Sequence, residues 1–184
     1  LQQLVSEHGY CSVTFVSSDF SSHISSDRAL SHLDSTTLAA LEKVKKERKA
    51  YCSDIFLCEE DQKSYIEFIA PVFNGSSIAI AYAIFRHETS KFLYPLIESW
   101  PVKSRTAETL LLRKENDNVL YLNNIRHRSD AALKLKIPLT NKNVPAVMAV
   151  LGYKGFFEGI DYRNIKVLSF VSSIPGTPWY MVSK

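Results

Sequence analysis

The chain of 184 residues is first bounded by what it has little of. It holds three cysteines, Cys11, Cys52 and Cys58, with no C-x-x-C pair, so the closely spaced ligands of a structural zinc site are missing. All three sit in apolar-rich stretches and are expected to be buried small hydrophobes. One disulfide, Cys52 with Cys11 or with Cys58, stays open in an oxidising compartment. The longest uninterrupted apolar run, residues 78–85, falls far short of the roughly 20 residues a membrane helix requires. A charged-then-apolar leader and an initiating methionine are both lacking, so a piece excised from a longer protein is expected.

Catalytic signatures are scarce as well. The sequence contains no G-x-S-x-G, no phosphate-binding loop, no H-E-x-x-H and no G-x-G-x-x-G, which leaves no expected catalytic, metal or cofactor-binding residue. The histidines (His8, His23, His32, His87 and His127) are scattered, and no two stand four apart as a helical metal pair would. They are expected on the solvated surface. Glu59, Glu60 and Asp61 cluster in a turn but do not alternate as calcium ligands do.

A net charge of +3 is too mild for a dedicated nucleic-acid binder. The basic run KVKKERK, residues 43–49, has no interleaved aromatic for base stacking. It suits the C-terminal half of a helix, where cations complement the backbone dipole. With 46% hydrophobic and 22% charged residues, the chain can bury a core. Its length fits one ordinary domain or two small ones.

The pattern along the chain alternates strands with short helices. Residues 10–16 (YCSVTFV) read as a strand entering a polar loop. Asp34 is a good N-cap, with Leu33 and Leu38 at staple positions and Leu38, Leu41 and Val44 forming a stripe. Residues 51–58 and 64–73 read as strands, the second joined to 78–86 through Asn74-Gly75. The last is apolar at both parities and should be a central strand covered on both faces. A helix over 89–100 must end before Pro101, presenting Phe92, Leu93, Leu96, Ile97 and Trp100 on one face.

The pattern then restarts. Strands at 109–113 and 119–122 flank a turn, and a polar, basic loop leads to a strand at 133–139. Asn143 and Pro145 open a short helix that Gly152 closes. The tail supplies the final strands, turning at Asp161–Asn164 and at Pro175-Gly176. Such segregation of strand runs from short helices predicts an α+β chain of two units with antiparallel sheets.

Polar residues inside these apolar strands are the candidate site. Tyr51 and Ser53 share one side of their strand, Tyr65 and Glu67 one side of theirs, and Tyr82 and Arg86 one side of the central strand. A charge in such a place must reach solvent, find its counter-charge or face a polar ligand. Together the six describe a cavity wall with hydroxyls, aromatic rings and one charge of each sign.

The stretch FLYPLIESWPVKSRTAETLLLRKENDNVLYLNNIRHRSDAALKLKIPL resembles extracytoplasmic sensor regions of bacterial receptors, as do PAVMAVLGYKGFFEGIDYRN and IPGTPWYMVSK. These are double Cache (double PAS-like) domains, which precede histidine-kinase, diguanylate-cyclase or PAS modules. The resemblance implies two PAS-like units: a membrane-distal, ligand-binding one over 1–100 and a membrane-proximal one over 101–184. It further implies a non-catalytic domain at the cell membrane, outside the cytoplasm, homodimeric in the full receptor, held by spans outside this chain and sensing a small metabolite. The family's amino-acid pattern needs an arginine just before a Trp-Tyr pair. Here KAYCSDIF stands in that place, with Arg48 upstream and no tryptophan, which counts against amino-acid or amine binding by that pattern; organic acids stay open as ligands, with Arg86 the obvious charge. The alternatives are a spacer or dimerisation module that binds nothing, and a hydrolase for which no nucleophile–base pair can be named.

Overall fold

The computed structural model describes all residues except 2, 4, 6, 8, 28–32, 59 and 99–105. The chain divides into two compact units, residues 1–93 and 94–184. Each is α+β, with one antiparallel sheet and little helix.

In the first unit the elements run β1 (Ser12–Ser17), β2 (His23–Ser25), α1 (Ser35–Glu47), β3 (Tyr51–Cys52), β4 (Phe56–Leu57), β5 (Ser64–Phe73) and β6 (Ala79–Glu88). The sheet order is β2-β1-β6-β5-β3, with β4 also on β5. The β5–β6 hairpin forms where Asn74-Gly75 predicts a turn. Its geometry comes from Asn74, whose Oδ1 accepts the N–H groups of Ser76 and Ile78 at 3.0 and 2.9 Å. Ser77 takes the left-handed conformation there.

Several sequence expectations need correction. The strand expected over 51–58 is broken between β3 and β4. Ser53 Oγ takes the Glu67 N–H, and Asp54 Oδ1 takes that of Ile55, so side chains replace part of the ladder. Strand β2 falls in a stretch read as loop. Strand β6 is central, yet Ile80 at its start is exposed, as is Ile78 just before it.

Helix α1 buries Thr37, Ala40, Leu41 and Val44, while Leu38, placed on the stripe by spacing, is exposed. The helix ends at Arg48, which adopts the left-handed conformation and donates its N–H to Val44 O. Lys45 and Lys46 occupy the last turn. The basic run also covers aromatic rings, with Lys43 Nζ 4.1 Å from the Tyr51 centroid and Lys45 Nζ 4.7 Å from that of Phe20. His87 is buried rather than solvated. All three cysteines are free; Cys58 is buried, Cys11 half-buried and Cys52 exposed.

Helix α2 (Leu93–Glu98) is shorter than the helix expected over 89–100, because residues 89–92 form turns and Pro95 lies within the first helical turn. Its buried residue is Tyr94, with Phe92 and Leu96 exposed. The Trp100-Pro101 corner lies outside the described residues. In the second unit, β7 (Thr109–Glu115), β8 (Asn118–Tyr121), β9 (Lys136–Pro138), α3 (Pro145–Val150), β10 (Gly155–Ile160), β11 (Lys166–Ser173) and β12 (Trp179–Ser183) follow. The sheet order is β10-β11-β12-β7-β8-β9. Helix α3 packs its Ala146, Val147, Ala149 and Val150 on Leu110, Leu112, Val119, Val171 and Val182. In both units the first and last strands pair at the middle of the sheet, and the second strand flanks the first.

Candidate functional site

The sheet register builds the site. Arg86 on β6 stands opposite Glu67 on β5 and opposite Ser12 on β1, so the three lie in one row on one face of the first unit's sheet. Helix α1 lies over the same face, packing on Val16, Ile69, Tyr82 and Ile84. The row is therefore the polar end of a face whose other end is apolar core.

The side chains close on one another. Arg86 Nε donates to Glu67 Oε1 at 2.7 Å, and its Nη2 donates to Asp34 Oδ2 at 2.8 Å. Thr37 Oγ1, on the first turn of α1, donates to Glu67 Oε2 at 2.8 Å. The Arg86 guanidinium carbon lies 5.2 Å from the Tyr65 ring centroid and 5.6 Å from that of Phe56, within cation–π range. Ser53 Oγ receives the Glu67 N–H at 2.9 Å. Tyr65 donates its hydroxyl to Asp61 Oδ2 at 2.6 Å.

Burial sets the electrostatics. Glu67 is 0% exposed and Arg86 5%. Burial pushes the Glu67 carboxyl above its ordinary range, against the pull of Arg86 and Thr37. For Arg86 burial opposes the charge, but Glu67 and Asp34 outweigh it and hold the guanidinium protonated. Burial and the bond to Asp61 raise the Tyr65 hydroxyl as well. The arrangement thus offers a guanidinium between two carboxylates, roofed by two aromatic rings. Among the described residues no group of three or more His, Cys, Asp or Glu is placed to hold a metal ion.

Of the six residues singled out from sequence, Ser53, Tyr65, Glu67 and Arg86 come together. Tyr51 and Tyr82 do not. Tyr82 lies four residues from Arg86 along β6, roughly 13 Å away, and its ring meets Phe20 edge-on at 5.4 Å in the α1 core. Tyr51 packs against that same core. Sequence reasoning missed Asp34, Thr37, Phe56 and Asp61. Asp34 carried a signal, its N-cap position, but its carboxylate makes no cap bond and turns to Arg86 instead.

Comparison with solved structures places this fold. The ligand-binding domain of the Campylobacter jejuni chemoreceptor Tlp3, solved with 4-methylisoleucine, matches at a TM-score of 0.67 and 13% identity, covering 100% of this chain and 68% of that one. That of Pseudomonas aeruginosa PctC, in complex with GABA, matches at 0.61 and 13% identity, covering 99% and 78%. That of Pseudomonas fluorescens CtaA, with L-isoleucine, matches at 0.62 and 7% identity, covering 100% and 71%. No protein-family model and no curated protein sequence matches the chain. The chain has the fold of the Cache-type ligand-binding domains of bacterial chemoreceptors.

Proposed function

We propose that this chain is the extracytoplasmic small-molecule-sensing domain of a transmembrane receptor, passing ligand occupancy to a cytoplasmic output module. The observation that carries the reading is the two-unit fold, shared along its length with chemoreceptor domains solved with amino acids and GABA. In this reading the first unit, within residues 1–100, is membrane-distal and binds the ligand, and residues 101–184 form the membrane-proximal unit. The domain itself is not catalytic. Membrane spans, a histidine-kinase or diguanylate-cyclase output and homodimerisation belong to the whole receptor.

The ligand site lies at Arg86. Asp34, with 16% of its side chain exposed against 0% for Glu67, is the more accessible of the two acids. An organic acid enters by replacing Asp34 on Arg86 Nη2, with Phe56 and Tyr65 as walls. A thermal-shift screen against metabolite sets tests this, because a ligand of the folded state raises Tm. Asp34→Asn strengthens the response to a carboxylate ligand and Tyr65→Ala, which removes one wall, weakens it. Silence across a broad screen favours the second reading, a spacer or dimerisation module. That reading draws on the same geometry, since Glu67 and Arg86 are already satisfied by their own neighbours.

A further inference from the structure

The geometry points to an alkylammonium site in the second unit, built by Glu108, Asp161 and the Tyr162 ring and filled by the chain's own Lys184. It stands or falls apart from the reading of the first unit. Lys184 follows β12, and its side chain is only 2% exposed. Its Nζ lies 2.6 Å from Asp161 Oδ2, 3.0 Å from Glu108 Oε2 and 4.5 Å from the Tyr162 ring centroid. Two carboxylates and an aromatic face are the groups that recognise a primary ammonium.

The cage is held by bonds that do not involve Lys184. Glu108 Oε1 receives the Arg126 N–H at 2.6 Å, and the Tyr162 hydroxyl donates to both Glu108 oxygens at 3.2 and 3.1 Å. Asp161 Oδ1 receives the N–H groups of Arg163 and Ile165 at 2.8 and 3.2 Å, and Oδ2 receives the Arg163 guanidinium at 2.7 and 2.9 Å. Both carboxylates therefore keep their places if the lysine side chain is removed. Arg163 then still balances Asp161, while Glu108, 7% exposed, loses its cation. Tyr121, edge-on to Tyr162 at 6.4 Å, packs behind that ring and has a buried hydroxyl with no hydrogen-bond partner in the described residues. A primary ammonium has an N–H for each of the two carboxylates and a quaternary one has none, so the site favours the primary.

Main-chain bonds tie the same residue to the sheet: Lys184 N–H to Glu108 O at 3.0 Å and Glu108 N–H to Lys184 O at 2.8 Å. A free amine that competes with Lys184 for the cage acts where β12 ends against β7, giving the second unit a ligand input of its own.

The test uses Lys184→Ala, which keeps Cβ and leaves room for n-propylammonium, the missing part of the side chain. The variant melts below the wild type. Added n-propylammonium chloride restores most of the lost Tm in a saturable way, whereas tetramethylammonium, which has no N–H to donate, and sodium chloride at equal concentration do not. Glu108→Gln in the same background removes the response. If Lys184→Ala does not fold alone, refolding yield with n-propylammonium against tetramethylammonium gives the same comparison. An equal effect of the two cations, or none from n-propylammonium, overturns the site.

Discussion

Glu67 and Arg86 face each other across the β5–β6 ladder and close an ion pair of 2.7 Å, with the glutamate wholly out of solvent. Removing one partner leaves a buried charge without compensation, which costs about 3–5 kcal/mol. Arg86→Met is therefore expected to lose stability on that scale in urea unfolding. The double variant Arg86→Met with Glu67→Leu recovers most of it, because a buried pair can be replaced by apolar side chains of similar volume at little cost. Equal losses in the single and double variants would show that the loss comes from the Arg86–Asp34 pair, which both variants break, and not from Glu67.

His87 gives the first unit a dependence on mild acid. Its ring stacks on Phe92 at 4.7 Å and meets Tyr10 at 4.6 Å, and burial holds the imidazole below its ordinary value of 6.5. The unfolded chain binds the proton more tightly, so the full stability is present above 6.5 and is lost as pH falls from there through the folded value. Urea titrations at stepped pH should show that slope in the wild type. His87→Phe should flatten it, and an unchanged slope in the variant would assign the effect elsewhere.

Asp161 acts in stronger acid. Burial opposes its charge, but the bonds from Arg163 and Lys184 outweigh it and lower the carboxyl from 3.8 to about 2. Its contribution is present above 3.8 and disappears as pH falls toward 2, an amount of about 2 kcal/mol. Asp161→Asn should remove this part of the acid transition and lower stability at neutral pH. Circular dichroism at graded pH distinguishes the two chains.

Tyr82 and Tyr65 should separate core from site. Tyr82 is nearly fully buried in the α1 core, so Tyr82→Ala is expected to cost about 3–5 kcal/mol through the cavity it leaves. Tyr65→Phe keeps the ring beside Arg86 and loses only the hydroxyl bond to Asp61. Its stability cost is expected near 1 kcal/mol, well below that of Tyr82→Ala. Similar losses for both in thermal unfolding would place Tyr65 in the core too.

Much of the fold was legible because its signals are local. Asn74-Gly75, the apolar run within residues 78–86, and Pro145 ahead of a short apolar run each act through neighbours in sequence, and each leads to an element of the structure. Misreadings arose where a side chain competed with the ladder or a helix met its sheet. Ser53 and Asp54 broke a strand by taking backbone N–H groups. Leu38 has the right spacing for a stripe, yet α1 turns Thr37 inward with Ala40, Leu41 and Val44, and the Thr37 hydroxyl is satisfied there by Glu67.

The candidate site was half legible for the same reason. Strand parity placed Glu67 with Tyr65 and Arg86 with Tyr82, because side chains alternate along any strand. Which of them meet depends on register between strands, and register put Arg86 beside Glu67 while leaving Tyr82 under the helix. Asp34 is 52 residues from the arginine it pairs with, and Lys184 closes on Glu108 and Asp161 from the far end of the same unit. By itself the sequence determined the α+β class, the two-unit repeat of elements and the absence of catalytic motifs, all carried by composition and short-range pattern. Only the tertiary structure decided which charges are buried together. The energy of a buried charge depends on the partner that packing brings to it, and no spacing along the chain encodes that partner.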